Sequence, residues 1–266
     1  MKFTFKPILK TNRNLFIILL FLFQIMASAQ PVKPSFIKGE NLEYKAYFHW
    51  GFLWIYAGNV RFTAELKASL STTIYHFVSE GNSLQKFDWL YKVRDRYEVS
   101  TDSVYLKPIE FLRDTKEGGI RIKNSYRFDR KNARIYIQSQ GQENGIIKQD
   151  TLALEGNVRD VLSAIYYCRL LPFSTHQNGD QFPLRMIVNC KIYTLSIKYL
   201  GKEAIRLHNQ KEYSCFKISI QLPPGTLFKG GKDLSVWLSA DANRIPLLVD
   251  SKILFGSIRA EFMGED

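Results

Sequence analysis

The chain has 266 residues, of which 45% are hydrophobic and 14% aromatic, and it carries a formal net charge of +12. That length is enough to bury a full core as one large domain. Three cysteines are an odd set and exclude a complete disulfide framework, and the positive balance turns attention to acidic partners.

Residues 1–29 have the three-part layout of a secretory signal. Lys2, Lys6, Lys10 and Arg13 make a basic start, Leu15 to Ile25 is an apolar run broken only by Gln24, and Ala27-Ser28-Ala29 has the small-x-small pattern of a signal peptidase site. The apolar run is about 11 residues, short of the roughly 20 that span a bilayer as a helix. Cleavage after Ala29 is therefore expected, with an uncleaved anchor as the alternative. Removing four positive charges takes the net charge from +12 to +8. No cysteine stands just after the run, the first being Cys168, so no N-terminal lipid is expected. No later segment reaches about 18 consecutive apolar residues, so the mature chain should hold no transmembrane helix. The expectation is an exported protein, periplasmic or peripheral to the outer membrane.

Residues 30–38, with Pro31 and Pro34, read as an extended leader before a single domain over 39–266. Ala46 to Gly58 (AYFHWGFLWIYAG) is the strongest local oddity. If the chain stays extended, Phe48, Trp50, Phe52, Trp54 and Tyr56 share one face and form a candidate apolar ligand face, with Tyr47, Leu53 and Ile55 on the other. A strand apolar on both faces must be covered on both. Gly51 could instead bend the chain and make two strands of one. Ser83 to Leu90 reads as a second, shorter helix or a loop. In Tyr91 to Val99 the apolar face is Tyr91, Val93, Tyr97 and Val99, so Asp95 should point inward, as a partnered structural acid or as a binding or catalytic carboxylate.

Period-2 patterns dominate the rest. Ile120, Ile122, Tyr126 and Phe128 alternate with Arg121, Lys123, Ser125 and Arg127, the mark of a half-buried strand. The pattern returns at Ile135 and Ile137, at Tyr193 to Tyr199, at Phe216 to Leu222 and at Ile245 to Val249. Asn157 to Leu171 breaks it: Val158, Val161, Leu162, Ile165 and Cys168 fall at helical spacing. Asn157 is the expected cap, Asp160 suits the first turn, and Pro172 marks the stop. Asp160, Tyr166, Tyr167 and Arg169 have structural roles by default. The expected fold is mainly β with one central helix, a curved antiparallel sheet or half-open barrel.

No catalytic signature has adequate spacing. His49, His76, His176 and His208 do not pair at metal-ligand spacing, and no cofactor or metal is expected. Gly225 to Asp233 (GTLFKGGKD) lacks the Gly-Lys-Ser/Thr ending of a phosphate loop and reads as a hairpin loop. Cys190 and Cys215 are the best-placed pair for one bridge, and three buried free thiols are the competing reading. The spread basic residues, such as Arg94, Arg96, Arg113, Arg121 and Lys123, suit membrane headgroups, lipopolysaccharide phosphates or acidic glycans, or simply a solvated surface. An exported protein has no expected nucleic-acid partner.

Three segments together carry a family resemblance. They are Gly39-Glu40-x-Leu42-x-Tyr44 with Gly58, then Asp160-Val161-Leu162-Ser163-Ala164-Ile165-Tyr166-Tyr167-x-Arg169, then Val236-Trp237-Leu238-Ser239-Ala240-Asp241 with Arg244-Ile245-Pro246, completed by Gly256-Ser257-Ile258. Their order and spacing resemble the bacterial exported proteins of domain of unknown function 3108, over about residues 38–264. The resemblance implies an envelope β protein without an established activity, and by fold-level analogy the half-open barrels of lipoprotein carriers (LolA/LolB-like). It marks Asp160, Tyr166, Arg169, Trp237, Asp241 and Arg244 as motif residues, to which Asp95 is added from its own strand. The expected function is non-enzymatic binding of a lipid, acyl chain or lipoprotein in an apolar cavity. The alternative is an interaction subunit of an envelope assembly with a protein partner.

Overall fold

A computed structural model describes residues 39–69, 72–141, 145–221, 233–252 and 256–265. The expected export signal (1–29), the leader (30–38) and nearly all of the Gly225 to Asp233 loop lie outside the described residues, as does the side chain of Trp50.

Among the described residues, fifteen strands form one sheet. They are β1 (Glu40–Trp50), β2 (Leu53–Ser69), β3 (Thr72–Ser83), β4 (Val93–Asp102), β5 (Pro108–Glu117), β6 (Ile120–Asp129), β7 (Arg134–Gln140), β8 (Ile147–Ala153), β9 (Val158–Arg159), β10 (Gln181–Val188), β11 (Lys191–Arg206), β12 (Glu212–Gln221), β13 (Asp233–Ser239), β14 (Pro246–Lys252) and β15 (Ser257–Glu265). The spatial order is β8-β7-β6-β5-β4-β3-β2-β1-β15-β14-β13-β12-β11-β10-β9, so β1 sits mid-sheet and the sheet does not close on itself. Every pairing is antiparallel except β9 with β10. The alternation seen in the sequence is the inside–outside alternation of these strands: on β6, Asn124, Tyr126 and Phe128 are buried while Lys123 and Arg127 are exposed.

Two short helical segments interrupt the strands. Asp88–Tyr91 (α1) is a single turn in the β3–β4 connection, preceded by a 3-10 turn at Gln85–Phe87. Val161–Cys168 (α2) is the central helix, shorter than the expected span and starting later. Its cap is Asp160, not Asn157. Asp160 Oδ1 accepts from the backbone N–H groups of Leu162 (2.8 Å) and Ser163 (3.0 Å), and Ser163 Oγ donates to Oδ2 (2.6 Å). The expected first turn is instead extended, because Val158 and Arg159 pair with Arg185 and Met186 of β10.

The helix lies against the concave side of the sheet and belongs to two apolar clusters. Leu162 and Tyr166 pack with Phe77, Val99, Phe111 and Tyr126. Ala164 and Cys168 pack with Leu184, Ile197, Ile218 and Leu238. Tyr166 stacks on Phe77 with ring centroids 3.8 Å apart. All three cysteines are free thiols, and burial pushes Cys168 up to about 12 and Cys215 up to about 11. No helix among the described residues is long and apolar enough to cross a membrane.

Candidate functional site: a cavity with one closed and one open end

Antiparallel connections alternate between the two ends of a sheet. One end holds the turns β4–β5, β6–β7, β11–β12 and β13–β14, and α2 is tied to it at both of its own ends. Just before the helix, Arg159 donates to the backbone carbonyls of Leu106 and Tyr105 in the β4–β5 turn and lies over the Tyr167 ring at 3.9 Å. Burial holds that guanidinium below its ordinary range. Just after it, Arg169 makes a two-pronged pair with Glu40 (2.7 Å to each oxygen), with both side chains almost fully buried. Arg169 also donates to Asn243 O from Nε (3.1 Å) and Nη2 (2.8 Å).

The β13–β14 turn is built to receive it. Asp241 Oδ1 accepts from Ser239 Oγ and from the N–H groups of Asn243 and Arg244, while Ser239 Oγ accepts from Ile245 N–H. Arg244, at φ +47°, donates from Nη1 to Arg169 O at 3.0 Å and caps the helix. So Glu40, Asp160, Tyr166, Arg169, Asp241 and Arg244, which are scattered in the sequence, close one end of the sheet. Trp237 does not join them. It sits between inward Val236 and Leu238, and its indole donates to Glu203 beside Lys217.

Between this plug and the other end lies a cavity of about 780 Å³. Its walls are Leu42, Tyr44, Val60 and Phe62 on one side and Leu184, Met186, Ile218 and Ile220 on the other, with Ala164, Ile165 and Tyr166 as floor. The volume falls in the range that encloses a small-molecule ligand, and the lining is overwhelmingly apolar with a few polar groups. Tyr91 and Ile120 line the cavity and are also exposed, which places its mouth beside α1 and the β5–β6 turn.

The polar groups gather near that mouth. Inward positions of β5 carry Arg113, Thr115 and Glu117. Arg113 donates to Thr115 Oγ1 (3.1 Å) and Asn189 Oδ1 (2.9 Å), and its guanidinium stands 3.9 Å from Glu117. Asp95, opposite Thr115 on β4, stands beside this group without being one of the residues that line the cavity, and its Oδ1 is buried without a hydrogen-bond partner. Burial first, then the Glu117 charge, push the Asp95 carboxyl up to about 7, against the Lys116 backbone N–H and Arg113.

The aromatic stripe lies elsewhere. Gly51, at φ +60°, reverses the chain, so the stripe becomes a β1–β2 hairpin. Phe48 then faces Ile55 and His49 faces Trp54, which puts Phe48 and Trp54 on opposite faces rather than one. Phe52 projects from the turn, and His49 stacks on Trp54 at 4.1 Å. Phe48, Phe52, Trp54 and Tyr56 are not among the residues lining the cavity. The residues that do line it are inward positions of many strands. Their only local signal is the kind that marked Asp95: charged Arg113 and Glu117 in phase with buried Phe111 and Thr115.

Around the mouth, several turns expose large apolar side chains. They are Phe52, Leu53 and Trp54 in β1–β2, Trp89, Leu90 and Tyr91 in β3–β4, Ile120 after β5, and Ile146 and Ile147 in β7–β8.

Fold and site together define a β-barrel-like shell: a curved, unclosed sheet, plugged at one end by a buried helix and hollow behind an open rim. The chain belongs to the family described as Protein of unknown function (DUF3108), which it matches over residues 43–263. Among solved structures it is similar to a beta-barrel-like protein of domain of unknown function DUF1849 from Brucella abortus, with a TM-score of 0.51 and 12% identity over 86% of this chain and 98% of that one. That likeness is one of fold. No curated protein matches the sequence.

Proposed function

We propose that this protein is a non-enzymatic envelope protein that holds a lipid or acyl chain in its cavity. The observation that carries the reading is the apolar cavity of about 780 Å³ with a polar cluster at its mouth. An apolar tail would occupy the space between α2 and the sheet, and its head would meet Arg113 and Glu117, with Asp95 behind them. A half-open barrel of the lipoprotein-carrier kind would serve a lipoprotein tail in the same way. The export signal read at residues 1–29 supports an envelope location.

The test is extraction and mass spectrometry of lipid from protein purified from the cells that make it. Ile122, which lines the cavity, is changed to tryptophan in parallel. Co-purifying lipid is expected in the wild type, with a roughly tenfold loss in Ile122→Trp, since overfilling removes the space the tail needs. Wild-type protein that carries no lipid and takes up none from micelles refutes the reading.

A second reading has one observation in its favour. β8 is an edge strand paired only with β7, and nearly all of its residues are exposed. Such an edge can accept a strand from a partner protein. In-cell crosslinking from β8 that recovers one stoichiometric partner would support it, and a chain that stays uncrosslinked would exclude it.

A further inference from the structure

The exposed apolar side chains at the open end are not scattered singly. Phe52 is 90% exposed, Trp89 82%, Leu90 70% and Ile120 55%. They come from three separate turns, and the strand register brings those turns to one end. Leu84 N–H donates to Ala57 O, which sets the β3–β4 connection beside the start of β2. Gly118 N–H donates to Lys92 O, which sets the β5–β6 turn beside α1. A cluster of exposed apolar groups of this kind marks a surface that leaves water in use.

We propose that the open rim is a bilayer-docking surface, on which the tips carrying Phe52, Leu53, Trp54, Trp89, Leu90 and Ile120 enter the lipid interface and face the cavity mouth to the membrane. Three features favour a lipid surface over a protein partner. The apolar groups come from three separate connections, with Leu53 and Trp54 the first residues of β2 and Trp89 and Leu90 on α1, rather than from one continuous stripe. Two of the six are tryptophans, whose amphipathic rings favour the headgroup level. Lysines bracket the tips, Lys86 and Lys92 around α1 and Lys116 before the β5–β6 turn, while nearby Asp88 is already paired with Arg94 at 2.6 Å. Basic residues beside interfacial apolar groups complement anionic headgroups. Tyr91 and Ile120 belong both to the exposed rim and to the cavity lining, so a docked rim makes the cavity continuous with the bilayer.

The experiment is vesicle flotation of the protein as processed by the cells that express it. Vesicles of phosphatidylethanolamine with phosphatidylglycerol are compared with vesicles of phosphatidylcholine alone. The variants are Phe52→Ser/Trp54→Ser and Trp89→Ser/Leu90→Ser, which change exposed side chains and are checked for unchanged melting. The wild type is expected to float with the anionic vesicles, to bind the neutral ones less, and to show tryptophan quenching by brominated lipid. Each double variant is expected to partition roughly tenfold less or weaker still. Lys86→Glu/Lys92→Glu should lose only the preference for anionic lipid. No flotation of the wild type, equal flotation of the double variants, or rim variants that lose a crosslinked soluble protein instead would each overturn the proposal. Ile122→Trp separates the two ideas: it empties the cavity of lipid and is expected to dock as the wild type does.

Discussion

Arg169 stands with its guanidinium between Glu40 and the Asn243 carbonyl, out of water. Arg169→Met leaves the Glu40 carboxylate buried without its partner, and a broken buried pair of this kind costs about 3–5 kcal/mol. Chemical denaturation should show that loss, and Glu40→Leu added to Arg169→Met should recover part of it, since no charge then stays stranded. Asp95 makes a pH-dependent prediction. Its folded carboxyl titrates near 7, above the ordinary carboxylate range, so the folded state binds the proton more tightly than the unfolded chain. Stability contributed by this group is full at acid pH and falls as pH rises from about 4 to about 7. Asp95→Asn should flatten that fall, leaving the variant more stable than the wild type at pH 8 and not at pH 4, as read from denaturation midpoints. Asp160 shows how far single residues are legible. Its carboxylate is legible as a group that favours a helix start, but as part of the first turn of a helix capped by Asn157. The displaced cap, however, depends on Val158 and Arg159 joining β10, a pairing with residues 185–186 that no local pattern encodes. The partner of Arg169 is equally hidden, because Glu40 lies 129 residues earlier in the chain.

At the scale of elements, the β1–β2 hairpin separates two uses of glycine. Gly51 sits at φ +60° with open space where a side-chain carbon would stand, whereas such a carbon at Gly58 would fall 2.3 Å from Asn82 O, a backbone atom of β3. Gly51→Ala should therefore cost about 1 kcal/mol of backbone strain. Gly58→Ala has to push β2 from β3 and should cost more, about 1–3 kcal/mol. Thermal or urea unfolding of the two variants side by side checks the order. The same hairpin explains why the aromatic stripe does not form one face. Alternation places Phe48 and Trp54 together only while the chain runs straight, and a reversal at Gly51 exchanges the faces. The strands themselves are legible where one face is wet, as on β6, because burial imposes period 2. Elements exposed on both faces, such as β8, carry no such pattern and leave no mark in the sequence.

For the molecule as a whole, the division into a plugged end and a hollow end is the feature most relevant to binding. A guest that enters the cavity binds the folded chain alone, so it stabilises by mass action. A saturating long-chain fatty acid, at about a hundred times its dissociation constant, should add about 2.7 kcal/mol and raise the melting temperature with concentration. Calorimetry on wild type and Ile122→Trp is expected to show the rise in the first and not in the second. Strand content and the single central helix can be read from the sequence. The cavity cannot, since its walls are single inward residues from many strands, brought together by an order with β1 between β2 and β15.

That strand order also bears on how the chain acquires its structure. Tyr44 of β1 lies opposite Val60 on one side and Phe262 on the other. The first pairing closes a short hairpin loop. The second joins strands from nearly opposite ends of the chain, and loop closure of that span must be met before any contact rewards it. The meander β1 to β8 can therefore assemble early on local pairings, while β1 keeps one open flank until residues 257–265 arrive. Refolding should then be slow and biphasic, with the β1–β15 seam, and with it the Glu40–Arg169 closure, forming in the late phase.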